Sequence, residues 1–117
     1  MEIKSYATNL IDLEEERTSH GTTDKWVLKR NGDLDNALTQ IAFGKFEVGE
    51  SCPKHAHATM DEYFFIQAGK GTYKVGEETI SLHPQTLVEV PAGVEHQLFA
   101  DKGSILEFIY WGVAKEM

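Results

Sequence analysis

The hydrophobic pattern divides the chain into a polar N-terminal part and a longer part rich in strand-forming residues. Residues 1–36 are polar and irregular, apart from a short apolar stretch at Lys25–Lys29 that predicts one strand. From residue 37 onward, β-branched and aromatic runs alternate with turn residues. This pattern predicts strands near 38–48, 61–67, 70–75, 78–82, 86–90, 94–99 and 104–112. The interpretation is an all-β antiparallel sandwich or barrel over 37–117, with an N-terminal extension over 1–36 that packs on the barrel or on a partner.

Two stretches of the β-rich part predict specific features, namely a tight hairpin and a strand that is buried on both faces. Val75-Gly76-Glu77-Glu78-Thr79 predicts a tight hairpin, because Gly76 adopts positive φ without steric cost. Ile105–Trp111 is nearly continuously apolar, with Glu107 as its one charged residue. Such a run is typical of a strand buried on both faces. We therefore expect a second copy of the chain, or the N-terminal extension, to cover its outer face, and we predict a homodimer.

Composition limits the possible partners. The 117 residues carry a net charge of −8, which gives no electrostatic basis for binding nucleic acid or an anionic membrane. No apolar run approaches the roughly 20 residues of a membrane span, and the first residues lack a signal-peptide pattern. The single cysteine, Cys52, cannot form an internal disulfide. A cytoplasmic protein is therefore expected.

Candidate chemistry is concentrated in three histidines and one glutamate. His55 and His57 are two positions apart, so on a strand both imidazoles face the same side. Glu62 follows after a short turn, and His96 follows a Pro91–Glu95 turn that leads into another strand. Three imidazoles and one carboxylate suit one divalent transition metal such as Fe, Mn, Ni or Zn, and leave coordination positions open for a ligand.

Several neighbouring residues offer other interpretations. A lone His-x-His pair is weak evidence, since surface histidines occur at any spacing. Asp61 would replace Glu62 if the turn were one residue tighter, but strand alternation points the two in opposite directions and favours Glu62. Cys52 is interpreted as a small buried hydrophobe rather than a ligand. His20 and His83 are interpreted as surface or turn residues.

The spacing of these residues resembles the motifs of the cupin superfamily. The first motif is matched at every signature position, by Gly49, His55, His57, Glu62 and Gly69. The core of the second motif is matched by Pro91, Gly93 and His96, but Gln85 stands where the family usually has glycine, and Ala100 where it usually has asparagine. The resemblance covers roughly residues 37–112. It implies a small double-stranded β-helix, or jelly-roll barrel, a frequent homodimer, and His55, His57, Glu62 and His96 as metal ligands.

Alternation along the predicted strands also suggests what surrounds the metal. The residues that share a face with Glu62 or His96 are apolar, and they are Phe64, Ile66, Val94, Leu98 and Ala100. The last strand adds either Tyr110 or Trp111 to this lining, and the sequence does not decide which of the two side chains points inward. Both arginines, Arg17 and Arg30, precede residue 37, so we expect a small ligand without a phosphate group, unless the N-terminal segment brings Arg30 to the barrel mouth.

The resemblance does not determine an activity, because one fold supports many reactions. The favoured function is a metal-dependent cupin that binds a small, non-phosphorylated organic ligand on the metal, with a dioxygenase-type enzyme as one form of it. The alternatives are a sugar or sugar-phosphate isomerase or epimerase, a lyase, and a non-catalytic cupin that binds metal or a small molecule. Iron as the native metal would favour oxygen chemistry, whereas zinc or nickel would leave the other roles open.

Overall fold

The computed structural model describes residues 6–17 and 24–116, with only the backbone of Arg17. His20 lies outside the described residues. Within them, one 3-10 helix at Leu10–Asp12 precedes nine strands. The strands are β1 (Glu16–Arg17), β2 (Asp24–Arg30), β3 (Leu38–Phe46), β4 (Met60–Ala68), β5 (Gly71–Val75), β6 (Glu78–Leu82), β7 (Leu87–Val90), β8 (His96–Ala100) and β9 (Leu106–Ala114).

The strands form two antiparallel sheets. The larger has the order β1-β2-β3-β9-β4-β7, and the smaller has the order β6-β5-β8. Because β3 pairs with β9 and β5 with β8, strands distant in sequence are neighbours in both sheets. The all-β class and each predicted strand from residue 25 onward are confirmed, with ends that differ by a few residues.

The hydrophobic core lies between the two sheets. Its buried members come from alternate positions of facing strands, as the two-residue period of a strand requires. Ile66 and Phe108 come from the larger sheet, and Tyr73, Leu82 and Leu98 from the smaller one. This inward-facing layer also holds the polar residues described below.

The N-terminal region contributes directly to the larger sheet. Strand β2 pairs with β3 from Asp24↔Lys45 to Arg30↔Gln40, with an irregularity between Val27 and Lys29. Val27 is buried, and Arg30 bonds to Glu16 on the adjacent part of β1. Residues 24–30 therefore form part of the barrel wall.

The predicted hairpin is present between β5 and β6. Val75 pairs with Glu78 and leaves a two-residue loop of Gly76 and Glu77. Gly76 has φ +57°, the sign that a type II′ turn requires at its first loop position. None of the described helices is long and apolar enough to cross a membrane.

Candidate metal centre

The four predicted ligand residues come together on the inner side of the barrel. One ligand atom from each of His55, His57, Glu62 and His96 lies within 4.8 Å of the others. Glu62 is on β4 and His96 begins β8, so the two sheets each supply one of the buried members. His55 and His57 lie between β3 and β4 and are half-buried. This group can hold a metal ion.

Backbone pairing explains how His55 reaches His96. The two residues form an isolated antiparallel bridge, in which His55 N donates to His96 O (3.1 Å) and His96 N donates to His55 O (2.8 Å). Their ring centroids are 4.2 Å apart. His57 is fixed by a different contact, since its carbonyl accepts from Gly93 N at 2.8 Å. The histidine pair therefore lies on an extended segment with one bridge, rather than on the regular strand that the spacing suggested.

The orientation of two imidazoles is set by the carbonyls two residues before them. His55 Nδ1 lies 2.8 Å from Pro53 O, and His96 Nδ1 lies 2.9 Å from Val94 O. A ring nitrogen beside a carbonyl oxygen carries the proton, which leaves Nε2 as the lone-pair nitrogen. Such outer contacts fix the tautomer and ring direction of metal-binding histidines.

Glu62 Oε1 is the point on which the rings converge. It lies 3.2 Å from His57 Nε2 and 3.6 Å from His96 Nε2. Neither contact has hydrogen-bond geometry, and both Glu62 Oε1 and His96 Nε2 are buried without a hydrogen-bond partner. Buried polar atoms are costly when left unsatisfied. A cation shared by these atoms would satisfy them, so the donor set fits a divalent metal.

A cavity of about 180 Å³ opens beside this group. Its apolar walls come from the inner face of both sheets and include Phe64 on β4, Leu98 on β8 and Phe108 on β9. Its polar lining, outside the four candidate ligands, consists of Asp24, Lys25, Gln40, Cys52, Tyr73 and Tyr110. The volume is below the range of about 300–1,000 Å³ that is usual for drug-sized ligands, so the cavity suits a small molecule.

The predicted pocket residues divide into two groups. Phe64 and Leu98 line the cavity. Ile66 and Ala100 instead lie in the hydrophobic core, farther along the same faces of β4 and β8. Val94 lies in the turn before β8, where its Cγ1 approaches Gly76. Strand alternation identifies the correct face, but it does not say how far along the strand the cavity extends.

Two phenols and one thiol face the cavity in their protonated forms. Burial raises the pKa of Tyr73 well above its usual value, and the Glu62 carboxylate raises it further. Burial also raises the pKa of Tyr110, and Glu62 adds to this effect. Burial raises the pKa of the Cys52 thiol, whose Sγ lies 3.9 Å from Leu98 O. These groups are therefore hydrogen-bond donors at neutral pH.

The other candidate residues differ in whether they point toward the metal centre and the cavity. Asp61 points away from the centre, and its Oδ1 accepts from Ala92 N at 2.8 Å in the turn that precedes His96. Cys52 is a buried thiol beside the cavity. Of the two open candidates on β9, Tyr110 lines the cavity, whereas Trp111 stacks on Tyr63 on the other face of the sheet.

Sequence reasoning missed four polar residues of the cavity wall. Asp24 and Lys25 lie on β2, Gln40 lies on β3, and Tyr73 lies on β5. The alternation of Gly71, Tyr73 and Val75 contained a signal for Tyr73. No local pattern indicated Lys25, because its position depends on the pairing of β2 with β3.

The chain belongs to the cupin family. The family model described as "Cupin domain" matches residues 42–112, which include all four candidate ligands. The jelly-roll barrel expected from the motifs is therefore confirmed. No curated protein is similar enough in sequence to match the chain.

Several solved structures have the same fold at low sequence identity. A predicted oxalate decarboxylase from Thermotoga maritima is 18% identical, with a TM-score of 0.83 over 92% of this chain and 98% of the other. The polyketide cyclase RemF from Streptomyces resistomycificus is 16% identical, with a TM-score of 0.77 over 93% of this chain and 79% of the other. A Streptomyces protein solved with uridine is 17% identical, with a TM-score of 0.70 over 94% and 82%. These likenesses show the fold alone.

Proposed function

We propose that this chain is a metal-dependent cupin that binds a small, non-phosphorylated organic ligand at a His₃Glu divalent-metal site. The observation that carries the proposal is the convergence of His57 Nε2 and His96 Nε2 on the orphaned Glu62 Oε1, beside a small cavity. When bound, the metal would supply Lewis-acid activation or, if it is iron, oxygen chemistry.

The chain's own residues would hold and orient the ligand. Phe64, Leu98 and Phe108 give the cavity apolar walls that exclude water from one side of the metal centre. The protonated Tyr73 and Tyr110 supply hydrogen-bond donors close to Glu62, whose charge acts on both phenols. A dioxygenase-type reaction is the activity we propose first. A cytoplasmic location is part of the proposal, since the only cysteine is a buried free thiol.

A second candidate is a lyase or isomerase that uses the same centre without oxygen. Two structural neighbours support this second candidate, since one is described as a predicted oxalate decarboxylase and the other as a polyketide cyclase. Metal analysis of protein purified without a metal-affinity tag distinguishes the candidates. Iron would support oxygen chemistry, and zinc or nickel alone would support the second candidate or a binding role.

The metal site itself is tested by a double substitution. We expect the wild type to bind one divalent ion per chain, and His55→Ala combined with His57→Ala to abolish binding, since two of four ligand atoms are removed. Elemental analysis after dialysis measures the bound metal. His83→Ala is the matched control, because His83 is an exposed histidine remote from the group. Full metal occupancy in the double variant would contradict the assignment.

A further inference from the structure

The wall of the cavity formed by β2, β3 and β9 carries a group of three polar side chains. Lys25 Nζ donates to Gln40 Oε1 at 3.3 Å. Gln40 on β3 is the diagonal neighbour of Tyr110 on β9, since Gln40 pairs with Gly112 and Ala42 pairs with Tyr110. All three residues line the cavity.

Lys25 and Tyr110 supply hydrogen-bond donors to this wall. The Gln40 carboxamide oxygen accepts from Lys25, which holds the ammonium group at the wall. Burial raises the pKa of Tyr110, so its O–H is present to donate. An ammonium group has three donors, and Gln40 occupies one of those on Lys25. The wall therefore offers a positive charge and a hydroxyl donor together.

The sheet register places this wall beside the metal centre, on the same face of the larger sheet. Tyr110 pairs with Phe64 on β4, so Tyr110 is the diagonal neighbour of Glu62 on the same face. Gln40 and Glu62 both pair with Gly112, one on each side of β9. Strands are about 4.8 Å apart, so Gln40 and Glu62 lie across a gap of roughly 10 Å between their backbones. One small molecule can reach both sides of such a gap.

We infer that Lys25, Gln40 and Tyr110 form a carboxylate-binding subsite, and that the ligand is a small organic acid with a second oxygen group that reaches the metal centre. This inference rests on the proposed metal-dependent function and specifies its substrate class. An ammonium and a hydroxyl both donate to a carboxylate in charge-assisted hydrogen bonds. The same wall also contains Asp24, whose negative charge disfavours a phosphate dianion more strongly than a single carboxylate.

Two keto acids of equal chain length test the inference. The probes are 2-oxoglutarate, which has a distal carboxylate, and 2-oxopentanoate, which has a methyl group at that end. Isothermal titration of the metal-loaded wild type should show about tenfold or tighter binding of 2-oxoglutarate, as one charge-assisted interaction provides. Lys25→Met should remove this preference and leave the affinity for 2-oxopentanoate unchanged. Tyr110→Phe should reduce the preference in the same way while keeping the ring that stacks on Phe64.

Lys29→Met is the matched control, because Lys29 lies on the same strand, carries the same charge and does not line the cavity. It should keep the wild-type preference. Equal affinity for the two acids, binding of neither acid, or equal loss of preference in Lys29→Met would overturn the carboxylate subsite and leave the metal site standing. Metal content is measured on the same samples. Absence of bound metal from the wild type would overturn the proposed function, and with it the substrate class that depends on it.

Discussion

Gln85 shows how one residue of the second motif bears on stability. Among the described residues it is the non-glycine residue with positive φ, at +74°. Its backbone N–H donates to Ile66 O at 2.7 Å, so the turn between β6 and β7 holds it in this conformation. A side chain in the left-handed region costs roughly 1–2 kcal/mol, which explains why glycine is usual at this position of the family.

We predict that Gln85→Gly stabilises the protein. Relief of the left-handed strain exceeds the entropy that glycine adds to the unfolded chain, and the net gain should be about 0.5–1 kcal/mol. Urea unfolding measures the change as a higher midpoint with an unchanged slope. Gln85→Ala is the control, since it keeps the Cβ atom that causes the strain and should give no gain. A glycine variant no more stable than the alanine variant would show that the turn stores no strain.

The histidine-rich ligand set predicts a pH dependence of metal binding. A histidine binds metal only when its nitrogen is deprotonated, and an unperturbed imidazole has a pKa of about 6.5. Metal affinity should therefore fall as the pH decreases through about 6, with some delay because bound metal competes with protons. Competition with a chelator of known affinity at several pH values measures this change. Constant affinity between pH 7 and 4.5 would argue against ligation by histidine.

At the scale of strands, the sequence predicted the positions of the strands more reliably than the direction in which each side chain points. Alternation along β4 and β8 gave correct strands and correct inner faces, because successive side chains of a strand point to opposite sides. In β9 the nearly continuous apolar run contains no alternation, so it could not separate Tyr110 from Trp111. Irregularities such as that between Ile66 and Ala68 also shift the register in ways that composition does not show.

The candidate metal centre was predictable because its residues form a local pattern in the sequence. His55, His57 and Glu62 are close in sequence, and the turn before His96 marks the fourth member. The wall formed by β2, β3 and β9 was not predictable, because Lys25 and Tyr110 reach one cavity only through the pairing of β2 with β3 and of β3 with β9. Long-range pairing of this kind leaves no periodic signal in one sequence.

The turn between β4 and β5 makes a close contact that only glycine allows. Gly69 has φ +86°, and a Cβ atom there would lie 2.0 Å from the backbone oxygen of Ile105. Gly32 provides a natural comparison, since it has φ +93° but no atom within 4 Å of the position that a Cβ atom would take. The two glycines therefore share the conformational requirement and differ in available space.

We predict that Gly69→Ala destabilises the protein far more than Gly32→Ala. Gly32→Ala should cost about 1–2 kcal/mol from its backbone conformation alone. Gly69→Ala should add about 1–3 kcal/mol, because the start of β9 must move to relieve the clash. Thermal or urea unfolding of both variants measures the difference. Equal destabilisation would mean that the turn and β9 separate without cost.

At the scale of the whole molecule, the outer face of the larger sheet is unusually apolar. The strand register aligns one row across five strands, formed by Trp26, Phe43, Ile109, Phe65 and Leu87. A second row contains Ile41, Trp111 and Tyr63, with Trp111 and Tyr63 stacked at 5.5 Å. Leu87 is 55% exposed at the end of the first row. Phe43, in the middle of the first row, is buried. A contiguous apolar patch is a feature that protein interaction sites require.

Charged residues at the border of this face favour a specific contact over non-specific association. Lys45 and Glu107 are cross-strand partners beyond the first row, and Glu89 lies opposite Tyr63 beside the second. An apolar centre with a polar rim is the usual arrangement of a protein interface. Since the face is built on strands of one sheet, two copies can meet there in a symmetric, closed pair.

We predict that the protein is a homodimer through this face. Light scattering coupled to gel filtration at micromolar concentration should give twice the 13.1 kDa of one chain. Trp111→Glu should give a monomer that still binds metal, because Trp111 points away from the cavity and a buried charge would oppose the contact. Leu34→Glu is the matched control, since Leu34 is 63% exposed in the turn between β2 and β3, away from the rows, and should leave the dimer intact. A wild type that elutes as a 13.1 kDa species would contradict the prediction and leave the outer face to another partner.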